Sequence, residues 1–230
     1  MGGLQMRRVA AGGAVSFIIL NIIASAIVGS VPNYGASPTK IAKYFSDHHQ
    51  ALLISVVLLC IGLILLIGVI AQGADMLRTA GLPDAATAFA VGGGVVVAIF
   101  AIGLAISGSM TQMAKSGTDP GTIRAFYQAA QFMLSVPLAW AGVFLVIPLA
   151  RAALIGAAPR WVAPLNGLLV VFLVLGGISV RGSGALAVAT GVLPVLAHIA
   201  FFLFLVEIAL LLWRSAAVGA RLAQPAVTAV

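Results

Sequence analysis

Six stretches of this sequence, about residues 11–30, 51–72, 86–108, 122–150, 162–180 and 186–213, are almost free of charge. A helix rises about 1.5 Å per residue and a bilayer's hydrocarbon core is about 30 Å thick, so roughly 20 apolar residues cross it once. Lipid gives a backbone no hydrogen-bond partner, and a helix satisfies its own. The runs therefore predict an all-α fold: a polytopic membrane bundle of six transmembrane helices, in one integral membrane domain covering residues 1–230. Composition points the same way, with 62% hydrophobic and 7% charged residues against about 25% charged in soluble domains.

The formal net charge is +7. The basic residues are scattered singly or in pairs, with no basic stripe interleaved by aromatics, which sets nucleic acid aside as a partner. Cys60 is the single cysteine, so neither an internal disulfide nor a cysteine-rich metal site can form. The first run has a second reading, as a signal peptide: Arg7 and Arg8 precede the apolar core and Ala24-Ser25-Ala26 resembles a cleavage site. Its full length and its likeness to the third run favour a span.

That likeness extends into an internal repeat. Ala26-Ile27-Val28-Gly29-Ser30 returns as Ala105-Ile106-Ser107-Gly108-Ser109, and Ser37-Pro38-Thr39-Lys40-Ile41 returns as Asp119-Pro120-Gly121-Thr122-Ile123. Runs one and two would then copy runs three and four, and runs five and six form a third, degenerate hairpin. Two-helix units return to their starting side, so the copies are expected in parallel.

Orientation follows from Lys and Arg in the loops. With a cytoplasmic N-terminus, Arg7, Arg8, Arg78, Arg151, Arg160, Arg214 and Arg221 fall inside, and Lys40, Lys43, Lys115, Arg124 and Arg181 outside. The bias places both termini in the cytoplasm of a multi-pass cell-membrane protein. Two outer loops carry helix starts, Ser37-Pro38 and Asp119-Pro120, where a capping side chain precedes a proline whose missing N–H is not needed. Pro38 to Asp47 is expected as a short amphipathic helix at the outer interface, with Ile41, Tyr44 and Phe45 toward lipid or protein and Lys40, Lys43 and Asp47 toward water. In the second copy the turn should run straight into the fourth span.

The segment Trp140-Ala141-Gly142-Val143-Phe144 through Pro148-Leu149, then Pro159-Arg160-Trp161 leading into Leu165-Asn166-Gly167, together with the capped outer helix, resembles an uncharacterised family of small six-helix bacterial membrane proteins, one of the domains of unknown function. The resemblance implies six helices and a bacterial inner membrane. It lends no substrate and no catalytic residue.

Candidate site residues are the polar or helix-bending groups at membrane depth. Glu207 is the only acidic residue inside an apolar run, about 10 Å from the interface marked by Trp213 and Arg214. An ionisable group there costs roughly 2.5–3.5 kcal/mol on insertion scales and faces protein or water. It serves either as a proton- or cation-responsive carboxylate or as a structural partner of Arg214 or of a neighbouring backbone. His198 lies nine residues earlier, on the opposite helix face, so a direct His–Glu relay is not expected. A haem would need a second axial ligand at similar depth, and no other histidine lies in a span, so no cofactor is implied.

Pro194 and Pro137 are expected inside the sixth and fourth spans as kinks exposing carbonyls to a midplane site, with His198 and Trp140 beside them. Asn21, with Ser25 one turn on, and Asn166 fit interhelical hydrogen bonds. Gly92-Gly93-Gly94 and Gly103 give the third span a small-residue face and suggest that it is central. Asp47-His48-His49 is the one cluster with metal-ligand chemistry, but adjacent histidines diverge on a helix, so no metal site is assigned.

Motifs for metalloproteases, serine hydrolases, P-loops and CxxC redox sites are missing, as are paired intramembrane acids, so the chain reads as a non-enzyme. Two functional classes follow. One is a structural or accessory membrane protein, homo-oligomeric or bound to a membrane partner. The other is a small transporter or a binder of a lipid-like ligand, with a site near Glu207, His198 and the Pro137 and Pro194 kinks, Trp140 and Asn21 contributing.

Overall fold

The computed structural model describes residues 3–179, 188 and 191–222, with 216–222 described by their backbone. The described residues form seven helices and no strand: α1 (Gly3–Val28), α2 (Pro38–Asp47), α3 (His49–Thr79), α4 (Pro83–Lys115), α5 (Pro120–Leu154), α6 (Val162–Gly177) and α7 (Val192–Leu222). Five of them, α1, α3, α4, α5 and α7, are long and apolar enough to cross a membrane. This supports a membrane location. The sixth apolar helix, α6, has 16 residues, or about 24 Å at 1.5 Å per residue, and ends at Gly177 rather than near 180. Arg181 and the expected start of the last run at Leu186 lie outside the described residues, as does the side chain of Arg221.

The long helices overrun their apolar cores. α3 has 31 residues, about 46 Å at 1.5 Å per residue, and so takes in Asp75 beyond its apolar run. Hydrophobicity marks only the part of a helix at hydrocarbon depth; caps decide where it stops. After α3, Gly81 takes φ 78° and the Leu82 N–H returns to the Leu77 carbonyl. After α5, Gly156 takes φ 81° and the Ala157 N–H returns to Ala152. A left-handed residue that closes the last turn in this way favours glycine.

The two caps that precede a proline form as expected. The Ser37 hydroxyl accepts from the Lys40 N–H at 3.4 Å, and the Asp119 carboxylate from the Thr122 N–H at 2.9 Å. After Ser37 the chain makes the separate helix α2, broken from α3 at His48; after Asp119 it continues without a break through α5. Ile41, Tyr44 and Phe45 of α2 are buried with Met110 of α4 and with Ile123 and Tyr127 of α5, while Lys43 pairs outward with Asp47 at 3.0 Å. Tyr44 donates to the Val28 carbonyl at 3.1 Å, Tyr127 to the Pro32 carbonyl, and Gln128 to the Tyr34 carbonyl at 3.2 Å. These bonds tie the 29–36 loop and α2 down onto α5.

The centre of the bundle is not the expected one. The apolar windows of α5 and α7 are 61% and 56% buried, against 33% for α4. The glycines of α4 are spent on its two neighbours instead: a Cβ at Gly92 would meet the Phe144 backbone of α5 at 3.0 Å, and one at Gly93 the Ile70 side chain of α3 at 2.5 Å. Small residues let α4 approach closely on both sides without placing it in the middle. α6 packs between α5 and α7.

Candidate functional site

Polar groups at membrane depth must find partners inside the protein, and two arrangements result. In the first, α6 and α7 meet at Asn166 and Glu207, which are 0% and 1% exposed. Asn166 Nδ2 donates to Glu207 Oε1 at 2.6 Å and to the Val162 carbonyl of its own helix at 2.8 Å. Neither the Arg214 nor the backbone partner expected for Glu207 appears here. Arg214 lies seven residues on and is exposed, and a hydrogen bond to the buried Asn166 amide avoids carrying the carboxylate to the surface. The remaining oxygens, Asn166 Oδ1 and Glu207 Oε2, are buried with no partner among the described residues.

In the second arrangement α1, α5 and α7, with Leu59 of α3, Phe100 of α4 and Leu173 of α6, border a cavity of about 300 Å³ with mostly apolar walls, among them Leu134 and Phe201. Four polar residues line it: Asn21, Ser25, Ser135 and His198. Asn21 does not link helices; its Nδ2 donates to Phe17 of its own helix at 2.9 Å. The Pro194 carbonyl lies 2.7 Å from His198 Nδ1 and can only accept, so Nδ1 carries a hydrogen and donates to it. Ser135 is 4% exposed and its hydroxyl has no partner among the described residues. The sequence reading passed over Ser135; a serine inside an apolar run, two residues before Pro137, was the signal.

A second cavity, about 230 Å³, lies toward the α2 end of the bundle and shares Ser25, Leu59 and Leu134 with the first. Tyr44 and Phe45 of α2 contribute to its wall. α2 thus walls a cavity adjacent to the midplane one. Burial raises the Tyr44 phenol above its ordinary pKa.

The expected site residues therefore divide. His198 and Asn21 share the midplane cavity, and Glu207 does not reach it. Pro194 is the third residue of α7, in its first turn, where a missing N–H costs no helical bond; the expected mid-helix kink is not there. Pro137 does lie inside α5, with Pro148, but Pro137 and Trp140 line a separate groove of about 850 Å³ on the outside of α4 and α5, beside exposed Phe144. The Trp140 indole N–H donates to the Gly177 carbonyl at 3.1 Å, fastening the end of α6 to α5. In the outer loop, His48 bonds and stacks with Tyr44, Asp47 pairs with Lys43, and His49 lies 3.4 Å from Gln112, so the three side chains diverge.

Compared with known proteins, the chain matches no family, no curated sequence and no solved structure. The functional reading rests on its own residues.

Proposed function

We propose that this chain is a multi-pass protein of a bacterial inner membrane, with both termini cytoplasmic, that binds a small lipid-like molecule in the midplane cavity. In this reading α6 is a sixth, short crossing and the helices form three hairpins. Support for the orientation comes from the arginine bias and from the common end at which α1 and α7 meet, where Arg8 stacks over Trp213 at 5.7 Å.

The observation that carries the reading is the Ser135 hydroxyl, buried and unpartnered on the wall of an apolar cavity that also holds Asn21, Ser25 and His198. A buried polar group left unpaired costs about 1–3 kcal/mol, which a ligand hydroxyl or carbonyl would offset. Apolar walls with a few convergent polar groups suit an amphipathic molecule better than an ion. The role is binding, without a catalytic step.

Native mass spectrometry of gently purified protein tests this, with Ser135→Leu to fill the cavity and Glu207→Gln as a polar change elsewhere. A small molecule or lipid carried by the wild type and by Glu207→Gln, and lost from Ser135→Leu, is expected. A bare wild type, or the same molecule on all three proteins, would sink the reading. A defined homo-oligomer indifferent to both changes would instead favour the accessory class, for which the groove beside Pro137 and Trp140 offers an apolar seat.

A further inference from the structure

We infer that the end of the bundle opposite α2 holds a second site, specific for a phosphate group, built on Arg7 and Arg214. A cavity of about 380 Å³ opens there among the start of α1, the ends of α3 and α5, residues 211–215 of α7, and the 157–159 turn. Its walls are mainly apolar, with Met76, Leu149 and Leu211, and its polar lining is Arg7, Thr79, Arg214 and Ser215.

The hydroxyls are already engaged. Thr79 donates to the Met76 carbonyl at 2.9 Å, and Ser215 to Leu212 at 2.9 Å. Capacity remains on the guanidiniums. Arg7 Nη2 is held by Asp75 at 3.0 Å and by Thr79 at 2.9 Å, which fixes the side chain at 14% exposure. Its Nε is buried with no partner. Arg214 lines the same cavity from α7, and among the described residues its side chain makes no ion pair.

Asp75 neutralises one of the two cations, so the cavity carries a net charge near +1. That balance matches a singly charged phosphate diester better than a multiply charged phosphate. A guanidinium presents N–H donors in a fixed fork that fits phosphate oxygens, and an oriented Arg loses less freedom on binding than a mobile one. The apolar wall extending from Leu149 to Leu211 would accept the stem to which such a headgroup is attached. Basic pockets between helix ends on the cytoplasmic side are where anionic lipid headgroups bind. A free phosphate ion offers the same oxygens without the stem.

The test uses full-length protein in detergent, followed by native mass spectrometry with added phosphatidylglycerol or phosphatidylcholine, and by thermal stabilisation with inorganic phosphate. Variants are Arg214→Gln, an exposed position that leaves folding intact, and Arg7→Lys, which keeps the charge facing Asp75 but removes Nε. Arg160→Gln, a basic residue outside the cavity, is the control. Expected is retention of phosphatidylglycerol over phosphatidylcholine in the wild type and in Arg160→Gln, weakened about tenfold in Arg214→Gln and in Arg7→Lys. Stabilisation by inorganic phosphate with the same dependence on both residues, and no lipid preference, would support the site and assign it to free phosphate. Equal loss in Arg160→Gln, or no loss in either cavity variant with both probes, would overturn it. The midplane reading is untouched by either result, because Ser135 lies in a different cavity.

Discussion

Two places in this bundle bury polar side chains at membrane depth, and they handle the cost in opposite ways. At Asn166 and Glu207 one polar atom of each is brought against the other, 2.6 Å apart, while Asn166 Oδ1 and Glu207 Oε2 stay buried with no partner among the described residues. At Asn21, Ser135 and His198 the groups stand around a space instead, and each is turned to its own helix backbone or, for Ser135, to nothing. A closed pair fixes helix to helix. An open set leaves hydrogen-bonding capacity for something that enters. Residue type does not distinguish the two, since both use an amide and an ionisable group; what differs is whether the partners share a depth and a face.

The strongest way to break this contrast is to remove one partner of the closed pair. Asn166→Leu should strand the Glu207 carboxyl and lower unfolding free energy by about 3 kcal/mol, read by unfolding in detergent. An equal loss in Ser135→Leu would mean that the cavity is structural too. Ser135→Leu is expected to abolish ligand retention while changing stability by no more than about 1 kcal/mol, since added volume enters existing space.

A double-mutant cycle sharpens the comparison further. Glu207→Leu, unlike Glu207→Gln, removes the acceptor for Asn166, and the coupling it shows with Asn166→Leu should be about 1.5 kcal/mol, near the upper end for interhelical bonds in membranes. No coupling should appear between Ser135 and Glu207.

The smallest effect is expected at the lid. Tyr44→Phe removes the bond to Val28 and should cost about 1 kcal/mol at neutral pH. Because burial raises the Tyr44 pKa in the folded state, its contribution is full below the unfolded value of 10.0 and is lost as pH rises through the folded one. Wild-type stability should fall above about pH 10, and less steeply in Tyr44→Phe. Identical pH profiles would remove Tyr44 as the cause.

Much of the scaffold was legible because it depends on local chemistry. The apolar runs located the long helices, and Ser37-Pro38 and Asp119-Pro120 located two helix starts to the residue. Gly81, Gly117 and Gly156 were equally readable as stops, each with positive φ, and would have corrected the ends set too early by hydropathy. The site was legible only in part. Asn21 and His198 stood out as polar residues in apolar runs and do share a cavity, whereas Pro137, Trp140 and Pro194 were grouped with them only by sequence proximity to other candidates.

Local residue chemistry made this an all-α chain with helices for a membrane, placed two of their starts, and marked which of their residues are costly to bury. Those are properties of a residue and its near neighbours along one helix. Only the tertiary structure decided that Glu207 meets Asn166 rather than Arg214, that α5 and α7 rather than α4 fill the centre, and that Arg7 and Arg214 border one cavity. Partner choice between helices depends on their relative rotation and depth, and an apolar helix that can face lipid on any side carries little record of either in its own sequence.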